Sequence, residues 1–329
     1  MRSSARDSLS EINNDITLTR SLRNMEQITV RSPATVSNVV CGFDCLGFAL
    51  EEPFDEITVR KVSERGITIV NLDDSALPTD PAKNVAGVAV QALADEAGVE
   101  HGFEIAIRKG IRPGSGIGSS SASSCGAVAA ANELIDRRFV KAELVKFAME
   151  GELLASGSRH ADNAAPCTYG GFTLVRSADP LDVVELEFPA LWACVIHPQI
   201  EIKTSDARAI LPREVPLADA VRNWSNLGAF VAGMMSGDLD LIARSMEDVV
   251  IEPVRQRLIP KFAELKAAGL EAGAMGGGIS GSGPSVFMLC DAAETANEVA
   301  GAMRDVYKTT DIEFDIYTSQ VGRQGVRII

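Results

Sequence analysis

The segment from Pro113 to Ser124 constrains the fold of this chain more than any other. It places three glycines within five positions, followed by a run of serines, between a predicted strand over 103–107 and a predicted helix over 123–135. Glycines at such a turn let backbone N–H groups point inward at a helix N-terminus, which offers unpaired donors and partial positive charge. The segment therefore predicts a phosphate-binding loop, with a flexible linker as the weaker alternative.

Two further segments accompany this loop. Segment 276–285 reads Gly-Gly-Gly-Ile-Ser-Gly-Ser-Gly-Pro-Ser before a predicted strand, and taken alone it fits a tight β-hairpin with positive φ angles equally well. Segment 34–47 reads Ala-Thr-Val-Ser-Asn-Val-Val-Cys-Gly-Phe-Asp-Cys-Leu-Gly. The first loop lacks the Gly-Lys-Ser/Thr ending of a Walker P-loop, which argues against that nucleotide fold.

These three segments, in this order, resemble the three motifs of the GHMP kinase superfamily. The Ser-Asn-Val-Val-Cys-Gly-Phe-Asp version of the first motif is similar to that of the homoserine kinase branch. So is the run His-Ala-Asp-Asn-Ala-Ala-Pro from His160, with Glu152 eight positions before it, and segments 203–208 and 252–260 also resemble that branch. The resemblance covers the chain from Ile28 onward.

The resemblance implies an α+β GHMP kinase fold, with an N-terminal ribosomal-S5-like α/β part and a C-terminal ferredoxin-like α+β part. Strands and helices arrive in irregular blocks, which independently favours α+β over a doubly wound parallel sheet. After Pro198 the pattern becomes mostly helical. We therefore predict a flexible extension over 1–26, an ATP-binding domain over 27–197 and a C-terminal domain over 198–329.

The resemblance also implies that ATP and Mg²⁺ are the cofactors. Ser120 and Glu152 are the expected Mg²⁺ ligands, since Mg²⁺ takes hard oxygen donors; from the residues alone Ser119 is an equal alternative to Ser120. Asn84 matches a family position near the adenine, although a helix N-cap explains it equally well. The loop residues expected to bind the nucleotide are Pro113, Gly114, Ser115, Gly116, Ile117, Gly118, Ser119, Ser120, Ser121, Ala122 and Ser123.

The acceptor that the resemblance implies is L-homoserine, a zwitterion that needs partners of both charges. Arg208 and Arg255 are the candidates for its carboxylate, because a guanidinium offers a planar fork of donors, and Arg257 is the alternative to Arg255. We expect the remaining substrate contacts from Asn38, Asp44, His160, Asp162, Asn163 and Gly281. The predicted catalytic residues are Asp162, Glu152 and Ser119. The main role that we expect for Asp162 is substrate binding, and proton acceptance is its secondary role.

Net charge limits the other partners. The formal charge is −14, the wrong sign for general binding to a phosphate backbone, so we expect no nucleic-acid partner. No uncharged apolar run approaches the roughly 20 residues that a bilayer requires, so we expect no membrane association and a cytoplasmic location. The resemblance implies a homodimer. The alternative functions are another GHMP small-molecule kinase, of mevalonate or sugar type, and a non-catalytic nucleotide sensor.

Overall fold

The computed structural model describes residues 26–329, so the predicted extension over 1–26 lies outside the described residues, save Glu26. The α+β class is confirmed, since two separate sheets are each covered by helices. In chain order, the first elements are β1 (Gln27–Val39), β2 (Gly42–Val62), β3 (Ile67–Asn71), α1 (Val85–Ala97), β4 (Gly102–Arg108), α2 (Ser119–Leu134), α3 (Lys141–Ser156), α4 (Ala164–Tyr169), β5 (Phe172–Ala178) and β6 (Leu181–Leu186).

The first sheet has the strand order β11-β1-β2-β4-β3, where β11 is Arg327–Ile328, and the hairpin β5-β6 branches from β2. Strands β1 and β2 pair antiparallel over their length, and β3 pairs parallel with β4. Helix α2 packs on β1 and β2, and α1 and α3 pack against α2. The small residues of α2 are almost all buried, which lets this helix lie close to the sheet.

The second sheet has the order β10-β7-β9-β8 and is antiparallel throughout. The elements of this part are β7 (Trp192–Pro198), α5 (Thr204–Ala209), α6 (Leu217–Ser236), α7 (Leu239–Ser245), α8 (Glu252–Arg255), α9 (Phe262–Glu271), β8 (Gly276–Ile279), β9 (Val286–Cys290), α10 (Ala293–Tyr307) and β10 (Phe314–Gln320). Helices α9 and α10 pack together over this sheet.

The predicted boundary after residue 197 falls inside β7, whose partners are β9 and β10 of the second sheet. The chain also returns from the second sheet to pair β11 with β1. The two sheets touch where the ring of Phe48 meets that of Phe287 at 5.8 Å and where Leu50 bridges to Val321. Because strands and contacts cross between the two sheets, the structure does not divide the chain at one position, and the limits at residues 197 and 198 stay a prediction.

Helix boundaries follow local capping. Asn84 precedes α1 and accepts hydrogen bonds from the backbone N–H groups of Ala86 and Gly87, and Gly98 ends the helix with a φ of 63°. The N-cap interpretation of Asn84 is therefore confirmed, and these two residues set the bounds of α1. Over residues 26–329, no helix combines the length and apolar character that crossing a membrane demands.

Candidate functional site

A cavity of about 340 Å³ lies where the loop before α2, the C-terminal end of α3, the turn after β1, α5 and the β8-β9 loop meet. Its walls include most of the residues singled out by sequence. The predicted residues that line it are Asn38, Asp44, Asn84, Pro113, Gly114, Gly116, Gly118, Ser119, Ser120, Ser123, Glu152, His160, Asp162, Asn163, Arg208, Arg255 and Gly281. The predicted loop residues outside its lining are Ser115, Ile117, Ser121 and Ala122, each fully buried.

The glycine-rich loop has the geometry that its sequence predicts. Gly114, Gly116 and Gly118 have φ angles of 77°, 76° and 72°, in the left-handed region that disfavours other residues. Helix α2 begins at Ser119 with no side-chain cap, so no side chain occupies the free N–H groups of its first turn. An uncapped N-terminus of a long helix at a cavity wall suits an anionic phosphate.

The second glycine segment forms the β8-β9 hairpin and packs directly on this loop. The hydroxyl of Ser280 donates to the carbonyl of Gly116 at 2.8 Å, and that of Ser285 donates to the carbonyl of Ser115 at 2.5 Å. A Cβ added at Gly116 would lie 2.6 Å from the carbonyl oxygen of Gly283. The hairpin interpretation is therefore confirmed, and glycine at 116 is required by this close approach.

A buried ion pair that was not predicted from the sequence holds the glycine-rich loop before α2 in place. Lys109, whose side chain is 4% exposed, pairs with the fully buried Asp55 and also donates to the carbonyl of Ser119 and the hydroxyl of Ser123, both at 3.0 Å. Asp55 accepts from the N–H groups of residues 110 and 111 at 3.0 Å. The pair thus connects both ends of the loop to β2. The sequence feature that could have indicated it is the lysine just before the glycines.

Glu152 is a buried carboxylate beside the start of α2. It is 7% exposed and accepts a hydrogen bond from the hydroxyl of Ser121 at 2.8 Å. Burial raises the pKa of Glu152, because the charged form loses its hydration. No ion pair joins it to a Lys, Arg or His in the part of the chain that the structure describes.

An unpaired buried carboxylate next to a hydroxyl fits a bound cation. Across residues 26–329, no cluster of three or more His, Cys, Asp or Glu side chains is suited to a metal. Mg²⁺ needs only one or two protein ligands when phosphate and water supply the rest. Of the two candidate serines, Ser120 lies against Glu152, whereas the hydroxyl of Ser119 donates to the carbonyl of Ile111 at 3.0 Å.

Charged side chains of both signs line the part of the cavity that lies away from the glycine-rich loop. Arg208, on α5, donates to both carboxylate oxygens of Asp44 at 2.8–3.0 Å and contacts Nε2 of His160 at 3.2 Å. Asn38 accepts from the N–H of Asp44 at 2.7 Å and donates to the carbonyl of Gly281 at 2.8 Å. Asn38 and Asp44 both have positive φ angles, which Asn and Asp tolerate better than most residues.

Arg255 is buried behind this group. It is 3% exposed, donates to the carbonyls of Ala207 and Gly281 at 3.1 and 3.2 Å, and lies over the ring of Phe43 at 4.8 Å. Burial lowers the pKa of Arg255, and Arg208 lowers it further. Arg257, the alternative, is exposed and lies outside the cavity lining.

Asp162 and Asn163 lie between the loop and the charged group. Asp162 is buried, and its pKa is raised by burial and then by the negative charge of Asp44. Because the two carboxylates share one wall, a positively charged ligand group is favoured there. The cavity thus combines a phosphate-type loop, a buried carboxylate for a cation, and groups complementary to a zwitterion.

The family comparisons agree with this arrangement. Residues 84–171 match the model described as GHMP kinases N terminal domain, and residues 219–309 match GHMP kinases C terminal. The homoserine kinase of Chloroherpeton thalassium is 47% identical over 93% of this chain and 100% of its own length, and that of Methanocella arvoryzae is 40% identical over 93% and 98%.

Solved structures give the same relationship. A crystal structure of homoserine kinase from Cytophaga hutchinsonii superposes with a TM-score of 0.89 at 47% identity and covers 93% of this chain and 98% of that one. A mevalonate kinase from L. major, solved with R-mevalonate, superposes with a TM-score of 0.71 at 16% identity over 91% and 98%. The second similarity shows the fold alone.

Proposed function

The chain belongs to the homoserine kinase family of the GHMP kinases, and we propose from this that it phosphorylates the side-chain hydroxyl of L-homoserine with ATP. The hydroxyl oxygen forms a bond to the γ-phosphorus, the bond from that phosphorus to the bridging oxygen of ADP breaks, and the hydroxyl proton is released. The products are ADP and O-phospho-L-homoserine, which places the enzyme in threonine biosynthesis.

The observation that carries this proposal is the pairing of two unlike walls in one cavity. The loop at the N-terminus of α2 suits a polyphosphate, and the wall holding Arg208, Arg255 and Asp44 suits a small zwitterion. A sugar has neither an ammonium nor a carboxylate group, and mevalonate has no ammonium group, so neither matches the opposite charges of Arg208 and Asp44 with charges of both signs. Homoserine satisfies both charges.

On the nucleotide side, we assign the triphosphate to the backbone N–H groups of 114–120 and the adenine region to the neighbourhood of Asn84. Asn84 lines the cavity but also caps α1, so its contact with the base stays a prediction. Ser120 and Glu152 would hold Mg²⁺, which when bound supplies positive charge to offset the phosphates.

On the acceptor side, we assign the substrate carboxylate to Arg208 and Arg255 and the ammonium group to Asp44. Asn163 and Asp162 then face the reacting hydroxyl. Substrate binding is the main role that we assign to Asp162, and accepting the hydroxyl proton is its secondary role. Phosphoryl transfer depends mostly on positioning and charge, so a strong general base is not required. The raised pKa of Asp162 nevertheless brings it closer to the range in which a carboxylate accepts a proton.

A coupled assay of ADP release tests this proposal. We expect turnover with ATP and L-homoserine, and little with mevalonate or galactose. Turnover with either of the latter but not homoserine would assign the chain to a sibling kinase activity. Binding of both ligands without ADP release would indicate a sensor.

The remaining assignments rest on the family resemblance. We propose a homodimer in the cytoplasm, with no nucleic-acid partner because of the −14 charge. Light scattering coupled to size-exclusion chromatography measures the oligomeric state directly, and a mass of one chain would contradict the dimer.

A further inference from the structure

Helix α6 carries an apolar stripe along its whole length. The stripe consists of residues that follow one another at alternating steps of four and three positions: Leu217, Val221, Trp224, Gly228, Val231 and Met235. This spacing places them on one face of the helix. The residues that α6 buries against its own chain are Phe230, Gly233 and Met234, on the other side of the helix. Within residues 26–329, the stripe is therefore largely uncovered.

The exposed area of the stripe matches what a protein–protein interface requires. Leu217, Val221, Trp224 and Met235 are 43–74% exposed, and Val231 is half-buried. At roughly 200 Å² for a large side chain, the four exposed residues present about 450 Å². A standard interface buries about 800 Å² on each partner, of which about 55–65% is apolar. The stripe therefore supplies the apolar part of one such interface.

The same face lacks charge, although the protein is strongly acidic. Helix α6 has two charged residues, Asp219 and Arg222, and neither belongs to the stripe. Arg222 pairs with Glu247 of its own chain. Trp and Met without nearby charges are typical of the core of an interface. A formal charge of −14 and the lack of lysine in α6 argue against an anionic lipid surface as the partner.

Gly228 has no structural reason within its own chain. It lies in the middle of α6, where glycine is less favourable than almost any other residue. A Cβ added there would meet nothing within 4 Å among the described residues, whereas one added at Gly233, on the buried side, would lie 3.0 Å from Ile242. Gly228 therefore leaves an open notch in the stripe, one turn from the indole of Trp224.

The stripe is symmetric about position 226. Its residues form three pairs at equal distances from that position: Leu217 with Met235, Val221 with Val231, and Trp224 with Gly228. Two antiparallel copies of α6 related by a two-fold axis at this level bring the members of each pair together across the axis. The largest side chain of the stripe then lies opposite its one notch, and this contact is made twice.

We propose that the stripe on α6 is the contact surface between two copies of this chain, which pair antiparallel with Trp224 of each copy packed on Gly228 of the other. This assigns a surface and a register to the homodimer proposed above. It goes beyond the kinase activity and does not depend on which acceptor the enzyme phosphorylates.

Sedimentation equilibrium of the whole chain over a dilution series measures the Kd of the dimer. Trp224→Asp places a charge near the centre of the stripe and should raise the Kd at least about 100-fold, because central aromatic residues dominate interfaces and both copies carry the change. Val140→Asp is the matched control, since Val140 is also exposed but precedes α3, outside the stripe. The control should keep the parent Kd.

Gly228→Leu tests the notch. The new side chain fills space that is open in a single chain, and leucine is a better helix former than glycine, so circular dichroism should show no loss of helix. The Kd should nevertheless rise at least about tenfold, because the leucine occupies the place of Trp224 of the second copy. Gly301→Leu is the matched control and should keep the parent Kd, since Gly301 lies inside α10 with equally open space around it.

Cross-linking tests the antiparallel register. Leu217→Cys and Met235→Cys chains are mixed and treated with a short bifunctional maleimide, and the parent gives the baseline for the native thiols. The mixture should form a cross-linked dimer. Neither variant alone should exceed the baseline, because the two copies of position 217 lie about 27 Å apart along the helix axis in the antiparallel pair.

A parent protein that stays monomeric throughout the dilution series would overturn the proposal and would leave the stripe to residues 1–25 or to another protein. Parent-like Kd values for folded Trp224→Asp or Gly228→Leu would also contradict it, as would cross-links in Leu217→Cys alone. If Trp224→Asp does not fold, Gly228→Leu and the cross-links still decide. Failure of the proposed function is seen in the ADP-release assay and leaves these masses unchanged.

Discussion

Replacing Arg255 with leucine tests the acceptor site most directly. Two N–H groups of Arg255 are used by the carbonyls of Ala207 and Gly281, and the side chain lies against the cavity that also holds Arg208. The remaining donors of its five are therefore available to a carboxylate. Truncating one side of a buried charged pair costs about 2–5 kcal/mol. That range corresponds to a loss of about 30-fold to about 5,000-fold in kcat/KM for homoserine.

The assay compares homoserine with 3-aminopropanol, which keeps the hydroxyl and the ammonium group but lacks the carboxylate. Arg255→Leu should narrow the ratio of kcat/KM between the two acceptors and leave nucleotide affinity almost unchanged. Arg257→Leu is the matched control two positions away, on an exposed side chain, and should behave as the parent. If Arg257→Leu narrows the ratio and Arg255→Leu does not, the assignment is wrong by two positions. If neither changes it, the carboxylate is bound elsewhere.

Three further predictions concern the nucleotide side. Glu152→Gln keeps the shape of the side chain but removes its charge, so turnover in a magnesium titration should fall at least about 100-fold. Burial raises the pKa of Glu152, which means that its ionised form lowers the stability of the fold at neutral pH. The variant should therefore unfold in magnesium-free buffer no more easily than the parent. Gly114→Ala and Gly116→Ala share a φ near 76°, but only the second meets a backbone oxygen, so it should lower the urea midpoint more; equal midpoints would contradict the close contact between the loops. Lys109→Met leaves the charge of Asp55 buried and should lower the free energy of unfolding by about 3–5 kcal/mol, measured in urea; a double variant with Asp55→Asn that recovers none of the loss would disprove an ion-pair origin.

Local features of this fold could be predicted because their causes lie within a few residues. The helix after Asn84 is set by its cap and by Gly98, and the phosphate-type loop by glycines that need positive φ angles. Residues 28–31 alternate apolar and polar side chains, as a half-buried strand does, and they form the start of β1, which continues to Val39 with two irregularities in register. The second half of β1, which carries Thr35, Ser37 and Asn38, could not be predicted as a strand, because its hydrophobic alternation is weak.

Contacts between distant positions could not be predicted from the sequence. Lys109 pairs with Asp55 across 54 positions, and Asn163 meets Ser37 across 126, so neither pair shares an element whose period could relate them. The same limit applies to the domain boundary. Strand β7 is apolar from Trp192 to Ile196, which predicts that the strand is buried but not which of the two sheets it joins.

The acceptor wall exists only because the two sheets pack together. The carbonyl of Gly281, in the hairpin of the second sheet, accepts from Asn38 in β1 and from Arg255, while its N–H donates to the carbonyl of Ser37. The hairpin also binds the phosphate-type loop through Ser280. One short loop therefore sets the distance between the wall suited to phosphate and the wall suited to the acceptor. The second glycine segment thus fixes the spacing of the two walls through backbone groups and a serine hydroxyl, although none of its side chains is charged.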